Sequence, residues 1–301
     1  MNTREKRASD NCRFDWYEAT IEGDLGSLME AVSEAGGEAG SWQAGERKPP
    51  HGYAGEQRLE DEYGLLAKVW YGGRQEHPHV LASGERTPAV AAILRREFAA
   101  HRVTRVDACV DFDGADTFDK FQAVMLGVAE RSGITIDTRG DHLLTRVGRT
   151  TYLGAAQSPV RARLYDKAAE LSQGLRSDPI RQAEVPAHLT RFEAQIRPKG
   201  RIAREHFASV SASECMGASR WLREVFAGIG GGMCDPVRAG LGYRQSDDTR
   251  GFNALMSQYG RLLHRLALVR GGWAELGEEM GRWAEASRGF KTRKLSHTAA
   301  G

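Results

Sequence analysis

The chain has 301 residues, 41% of them hydrophobic and 27% charged, a balance that suits a globular fold with a sizeable core in one large domain or two. A net charge of +2 excludes strong global attraction to nucleic acid, so any such binding needs a local basic patch. The four cysteines form no CxxC pair, which excludes zinc-ribbon and thioredoxin chemistry, and neither an apolar leader nor a run of about 18 apolar residues stands out, so a cytoplasmic setting away from membranes is expected.

Residues 1–12 are polar and read as loose. Phe14 to Ile21 is rich in aromatic and β-branched residues and predicts a strand. A short helix is expected over 24–35, then a long Gly-, Pro- and charge-rich loop to Gly55. Leu65 to Tyr71 and His79 to Ala82 predict strands, and the spacing of Val90, Ile93, Leu94 and Phe98 predicts a helix over 88–101. The segment 105–113 alternates strictly and predicts a strand. A helix is expected over 117–132, stopped by Gly133. Thr150 to Leu153 and Val160 to Lys167 predict a hairpin of strands, and Leu189 to Arg197 a further strand ended by Pro198. After residue 200 the pattern is helical: Ser219 to Phe226, a glycine-rich break, Asn253 to Val269 with Leu255, Tyr259, Leu262, Leu263 and Leu266 on one stripe, and a last helix through Trp273 and Trp283 with a basic segment over 288–294. The expected fold is α+β, a largely antiparallel sheet with helices packed on one face, followed by a helical C-terminal region. Its expected domains are 1–200, catalytic, and 201–301, helical.

Three strands share one design. Arg105, Asp107, Cys109, Asp111 and Asp113 fall on one face of their strand, and Arg191, Glu193, Gln195 and Arg197 on one face of theirs. On a third, Arg161, Arg163, Tyr165 and Lys167 line up. A solvated sheet face also alternates in this way. The residue types point further, since carboxylates collect on two strands while cations surround a tyrosine on the third. If the strands are neighbours, Asp107 and Glu193 can ligate a hard divalent cation, Mg²⁺ or Mn²⁺, with Asp111 or Asp113 assisting. Tyr165 can then attack a phosphodiester, with Arg163 and Lys167 expected to lower the pKa of its phenol. Tyr152 is the competing tyrosine and is placed instead with Arg161, Arg191 and Arg197 as a contact for DNA. Two histidines flank Pro78 in a weak His-x-His metal pattern, more consistent with an ordinary loop. The glycine run 228–232 is not a phosphate loop, because no Gly-Lys-Ser/Thr follows.

The order Phe14-Asp15-Trp16, then RVDACVDFD, then TTYLGAAQSPVRARLYDKAAE, then RFEAQIR resembles the replication initiation factor family, which covers rolling-circle plasmid and phage initiators and related relaxases of conjugative elements. The resemblance spans residues 14 to about 200, and its tyrosine segment is the most specific part. It implies a sequence-specific, metal-dependent nickase. Tyr165 would be the nicking tyrosine, Asp107 and Glu193 the acidic metal positions, and Lys167 and Glu170 the tail of the tyrosine motif. The implied partner is DNA at a replication or transfer origin, single-stranded or extruded at the nick. A host helicase and a second copy of the chain come next as partners. The alternative is a non-catalytic DNA-binding protein on the same fold.

Overall fold

The computed structural model describes residues 11–62, 64–239 and 247–296. Ten strands form one antiparallel sheet in the order β2-β3-β4-β5-β1-β6-β10-β9-β8-β7. They are β1 (Arg13–Thr20), β2 (Ser41–Ala44), β3 (Gly55–Asp61), β4 (Gly64–Tyr71), β5 (His79–Ser83), β6 (Arg102–Asp113), β7 (Ile136–Arg139), β8 (Thr150–Leu153), β9 (Val160–Asp166) and β10 (Leu189–Ile196). The helices are α1 (Leu25–Ser33), α2 (Thr87–Glu97), α3 (Thr117–Ser132), α4 (Lys167–Gly174), α5 (Pro179–Ala183), α6 (Arg201–His206), α7 (Ala212–Cys215), α8 (Arg220–Gly228), α9 (Asp247–Arg270) and α10 (Trp273–Ser296). The expected α+β class holds, with the antiparallel sheet and the C-terminal helices in place.

The apolar face follows from the alternation. Val106, Ala108 and Val110 of β6, Phe192, Ala194 and Ile196 of β10, and Ala162 and Leu164 of β9 point to one side. There they pack with Met125 and Val128 of α3 and Leu222, Val225 and Phe226 of α8 in a single core. Gly133 closes α3 in the left-handed conformation, at φ 62°, where a residue with a Cβ is disfavoured.

Several elements differ from expectation. The segment 34–55, read as a loop, contains a 3-10 turn at Glu34–Ala39 and β2, and β3 begins at Gly55. β2 and β3 lack a strong apolar alternation because they extend the sheet at its margin, where Trp42 pairs with Leu59 and the rest is half-exposed or exposed. β7 is exposed along its length, so no alternation marks it. Lys167 is not on the tyrosine strand. Asp166 caps α4 by accepting from the Ala169 N–H, so the chain turns into a helix at Lys167.

The chain forms two compact units, Met1–Gly242 and Tyr243–Gly301. The first runs past the expected boundary at 200, because α6 and α7 pack against β6 and α8 against α3. The second unit carries the hairpin of α9 and α10, turned by Gly271 and Gly272 at φ 97° and 149°. Within it Ala267 and Leu276 are buried, while Leu255, Tyr259 and Leu262 of the expected stripe are exposed. The N-terminal ten residues, read as loose, lie outside the described residues. The basic segment 288–294 falls within α10, and its side chains lie outside the described ones. Among the described residues no helix is long and apolar enough to cross a membrane.

Phe192 anchors β10 by stacking on Phe226 with ring centroids 6.3 Å apart, fully buried. Phe192→Ala is expected to lower the free energy of unfolding by about 3–5 kcal/mol, read from urea titration of far-UV circular dichroism.

Candidate nuclease site on the polar sheet face

The second face of β1, β6, β10 and β9 is polar, and much of it is buried. Its side chains fall in rows across the strands. Asp111, Arg191, Tyr165 and Thr150 make one row. Arg13, Cys109, Glu193, Arg163 and Tyr152 make the next. Trp16, Asp107, Gln195 and Arg161 make a third. Successive rows are about 6–7 Å apart, two residues along a strand.

The charges pair within and across these rows. The Arg191 guanidinium donates to both Asp111 oxygens, at 2.6 and 2.9 Å, and to Asp15 Oδ1 at 2.7 Å. Arg13 donates to Asp111 Oδ2 at 2.5 Å. Burial alone would raise the Asp111 pKa, but the hydrogen bonds from Arg191 and Arg13 outweigh it and hold the carboxyl below its ordinary range. Both Asp111 oxygens are therefore engaged by arginines, Oδ1 by Arg191 and Oδ2 by Arg191 and Arg13. Asp107 accepts both ends of the Arg105 guanidinium, at 2.9 and 2.5 Å, and the Gln195 amide at 3.2 Å. Arg105 also lies over the Trp16 ring at 4.2 Å.

Glu193 and Tyr165 are different. Glu193 Oε2 accepts from Arg163 at 2.8 Å, but its Oε1 has no hydrogen-bond partner and is buried. Burial, reinforced by the Asp107 charge and opposed by Arg163, pushes the Glu193 carboxyl up to about 7. The Tyr165 hydroxyl is likewise buried without a partner, beneath Arg163, whose guanidinium carbon stands 4.0 Å from the ring centroid, with Lys167 Nζ at 5.8 Å. The expected lowering of the Tyr165 pKa is not what the geometry gives. Burial raises it well above the phenol value and outweighs Arg163 and Arg191, which act in the other direction.

A cleft of about 720 Å³ opens beside these groups, lined by Trp16, Arg105, Asp107, Arg163, Lys167 and Glu193 together with the first turns of α4. Lys167 pairs with Glu170 at its mouth. Two expected DNA contacts sit toward the sheet margin, where Arg161 lies over the Tyr152 ring at 3.8 Å and reaches Asp137 at 3.5 Å. Arg197 follows β10, and its pKa is lowered by burial and by the nearby Arg105 charge. The face thus brings together Tyr165, Arg163, Arg191, Glu193, Asp107 and Asp111.

Asp15, Arg13 and Arg105 were not singled out as site residues. Asp15 stands at a β-bulge between Phe14 and Trp16, which places it on the polar face out of step with period two. The His77-Pro78-His79 pattern is not a metal pair. His79 Nε2 contacts Glu18 Oε1 at 3.0 Å and its Nδ1 contacts Thr20 Oγ1 at 3.1 Å, under a ring stacked on Trp70.

Among the described residues, no group of three or more His, Cys, Asp or Glu stands close enough to hold a metal ion. Asp107 and Glu193 make a two-carboxylate pair, and the unpartnered Glu193 Oε1 is an oxygen donor of the kind a hard cation takes.

No protein family description matches the chain, and no curated protein matches it. A solved structure of a rolling circle replication initiator protein from Geobacillus stearothermophilus is similar over 66% of this chain and 78% of that one, with 18% sequence identity and a TM-score of 0.44. At that score the functional reading rests on the geometry of this chain alone.

Arg191→Met is expected to cost about 2–3 kcal/mol of stability, because it strips half-buried Asp111 and Asp15 of their shared cation and leaves Asp111 only Arg13; an Arg191→Met/Asp111→Leu pair should recover part of the loss in the same chemical denaturation. The raised Glu193 pKa sets a pH dependence. From pH 4.5 to about 7 the folded chain holds a proton that the unfolded chain has released, so stability falls as pH rises through that window, by about 3 kcal/mol in chelator. In Glu193→Gln the fall should be absent from melting temperatures taken across it.

Proposed function

We propose that the chain is a metal-dependent DNA nicking-joining enzyme, of the rolling-circle initiator or relaxase kind, with Tyr165 as its nucleophile. The observation that carries this reading is the pair of buried, unpartnered oxygens, Tyr165 Oη and Glu193 Oε1, on neighbouring strands either side of Arg163. An unsatisfied buried polar atom costs about 1–3 kcal/mol. Two of them around one guanidinium, one on Glu193 in the cleft wall and one on Tyr165 beneath Arg163, suit a site completed by its substrate.

In this reading the Tyr165 oxygen attacks a phosphodiester phosphorus and the bond to the 3′ oxygen breaks. The phenol proton is lost and the departing 3′ oxygen gains one. The product is a 5′-phosphotyrosine link and a free 3′-hydroxyl, and reversal reseals the strand. Arg163 and Lys167 lie on the phenol side to neutralise phosphate oxygens. Because Tyr165 is 4% exposed, the strand reaches it only when Arg163, Lys167 and the start of α4 move aside. Asp107 and Glu193 would hold Mg²⁺ or Mn²⁺, which polarises the phosphoryl group. Arg161, Arg197 and Tyr152 extend the cation-rich surface along which a single strand of an origin would lie. Arg191 serves the same face from beneath, by fixing Asp111 and Asp15. A host helicase and a second copy of the chain complete the proposed partners.

A rival reading, DNA binding without cleavage, is favoured by the raised phenol pKa and by the arginine already paired to each carboxylate. A pool of random-sequence single strands carrying a 3′ label separates the two without knowledge of the origin. Cleavage by wild type with Mn²⁺ should leave the label covalently on the protein through denaturing electrophoresis. Tyr165→Phe should give no adduct and Tyr152→Phe should keep it. An adduct that survives in Tyr165→Phe sinks the assignment, and strand binding in chelator with no adduct under any condition supports the rival.

A further inference from the structure

The loop between β7 and β8 is pinched at its base. Gly140 and Gly148 both have positive φ, 85° and 66°, and a Cβ on Gly140 would stand 2.3 Å from the Gly148 carbonyl oxygen. Between them the Asp141 carboxylate accepts from the backbone N–H of Leu143, Leu144 and Thr145, at 2.9, 2.8 and 2.8 Å, and from the Thr145 hydroxyl at 2.9 Å. Those bonds fix a tip whose leading side chains are apolar, Leu143 and Leu144 being 87% and 89% exposed.

The stem is braced on two sides. Arg149 reaches Asp119 of α3 at 2.6 Å and lies over the Phe118 ring at 4.1 Å. The Asp166 N–H donates to the Arg149 carbonyl at 3.0 Å, and the Asp166 carboxylate accepts from the Gly148 N–H at 3.3 Å. The base of the loop is thus tied to the residue that follows Tyr165.

Two adjacent leucines held in water add nothing to the core, and the Asp141 bonds prevent the tip from folding them inward. Exposed Arg139 and Arg146 flank them, each with a single carboxylate contact at 3.4 to 3.5 Å. A rigid apolar tip between cations matches stacked bases between phosphates, and apolar side chains inserted at a base step unstack it and kink the duplex. We propose that the Leu143–Leu144 tip is a wedge that opens a DNA duplex next to Tyr165 and frees one strand for the cleft. The inference rests on the nicking reading, and its occupant is a base-paired step, most readily a flexible TA step.

The test uses the full chain and a duplex of TA steps carrying a fluorescent base analogue that brightens on unstacking. Wild type should brighten it. Leu143→Ser/Leu144→Ser should lose that opening by about tenfold or more, while its adduct with the single-stranded pool stays within about twofold of wild type. Leu143→Phe/Leu144→Phe should keep the opening, which separates wedge action from a fault in folding. Opening unchanged in the serine pair overturns the wedge. So does an adduct that falls in step with opening, which would make the tip a general binding contact. Self-association of wild type that the serine pair abolishes, with opening intact, assigns the leucines to a second copy and also overturns it. Opening that depends on the leucines, with no adduct from wild type on any strand, supports the wedge and removes the nicking reading instead.

Discussion

The structure depends on keeping ionised groups balanced on a sheet face that water does not fully reach. Arg191 is the centre of that balance, 4% exposed and bonded to two carboxylates on two strands. A charge so placed is tolerated only when its partners are fixed, since desolvation costs several kcal/mol per ion before pairing. The apolar face supplies the burial that holds β6, β10 and β9 together. The arginine–carboxylate pairs then fix where those strands hold their polar atoms. Register on both faces is set together, because a slip of one residue would place Asp111 and Glu193 in the core.

Against that balanced background Tyr165 and Glu193 stand out, with the Arg163 Nε between them also unsatisfied. Both carry an oxygen that the fold buries and does not satisfy. Asp107, next along the face, is by contrast bonded through both oxygens. The same burial that leaves them unsatisfied raises both pKa values. A phenol in that state keeps its proton and reacts poorly until it is uncovered. Arg163 lies over the Tyr165 ring, and Asp166, next in the chain, caps α4 and bonds the pinched loop that carries Leu143 and Leu144. The start of α4, Tyr165 and the base of that loop are thus joined through Asp166.

The alternation at 105–113 and 189–197 made the two acidic strands and their polar sides legible, because period two survives wherever one face is core. The same rule misled at Lys167. A residue in step with Arg163 and Tyr165 was read on the strand, but the Asp166 side chain offers the backbone an N-cap and the helix begins there. Asp15 was hidden for the opposite reason, since a bulge shifts it onto a face that strict alternation denies it. β2, β3 and β7 were obscure because marginal strands bury little and leave weak patterns.

The sequence by itself determined the fold class, the tyrosine strand, and the side of the sheet on which Asp107, Glu193 and Arg163 would stand, since those follow from local periodicity. Only the tertiary structure decided how the charges pair. Apart from Arg105 and Asp107 on one strand, which arginine of this face meets which carboxylate depends on strand order and register between segments about 30 to 180 residues apart. It also decided that Asp111 is spent on arginines, that Tyr165 is buried, and that its pKa rises. Burial is a property of everything packed around a group, and no spacing within one strand encodes it.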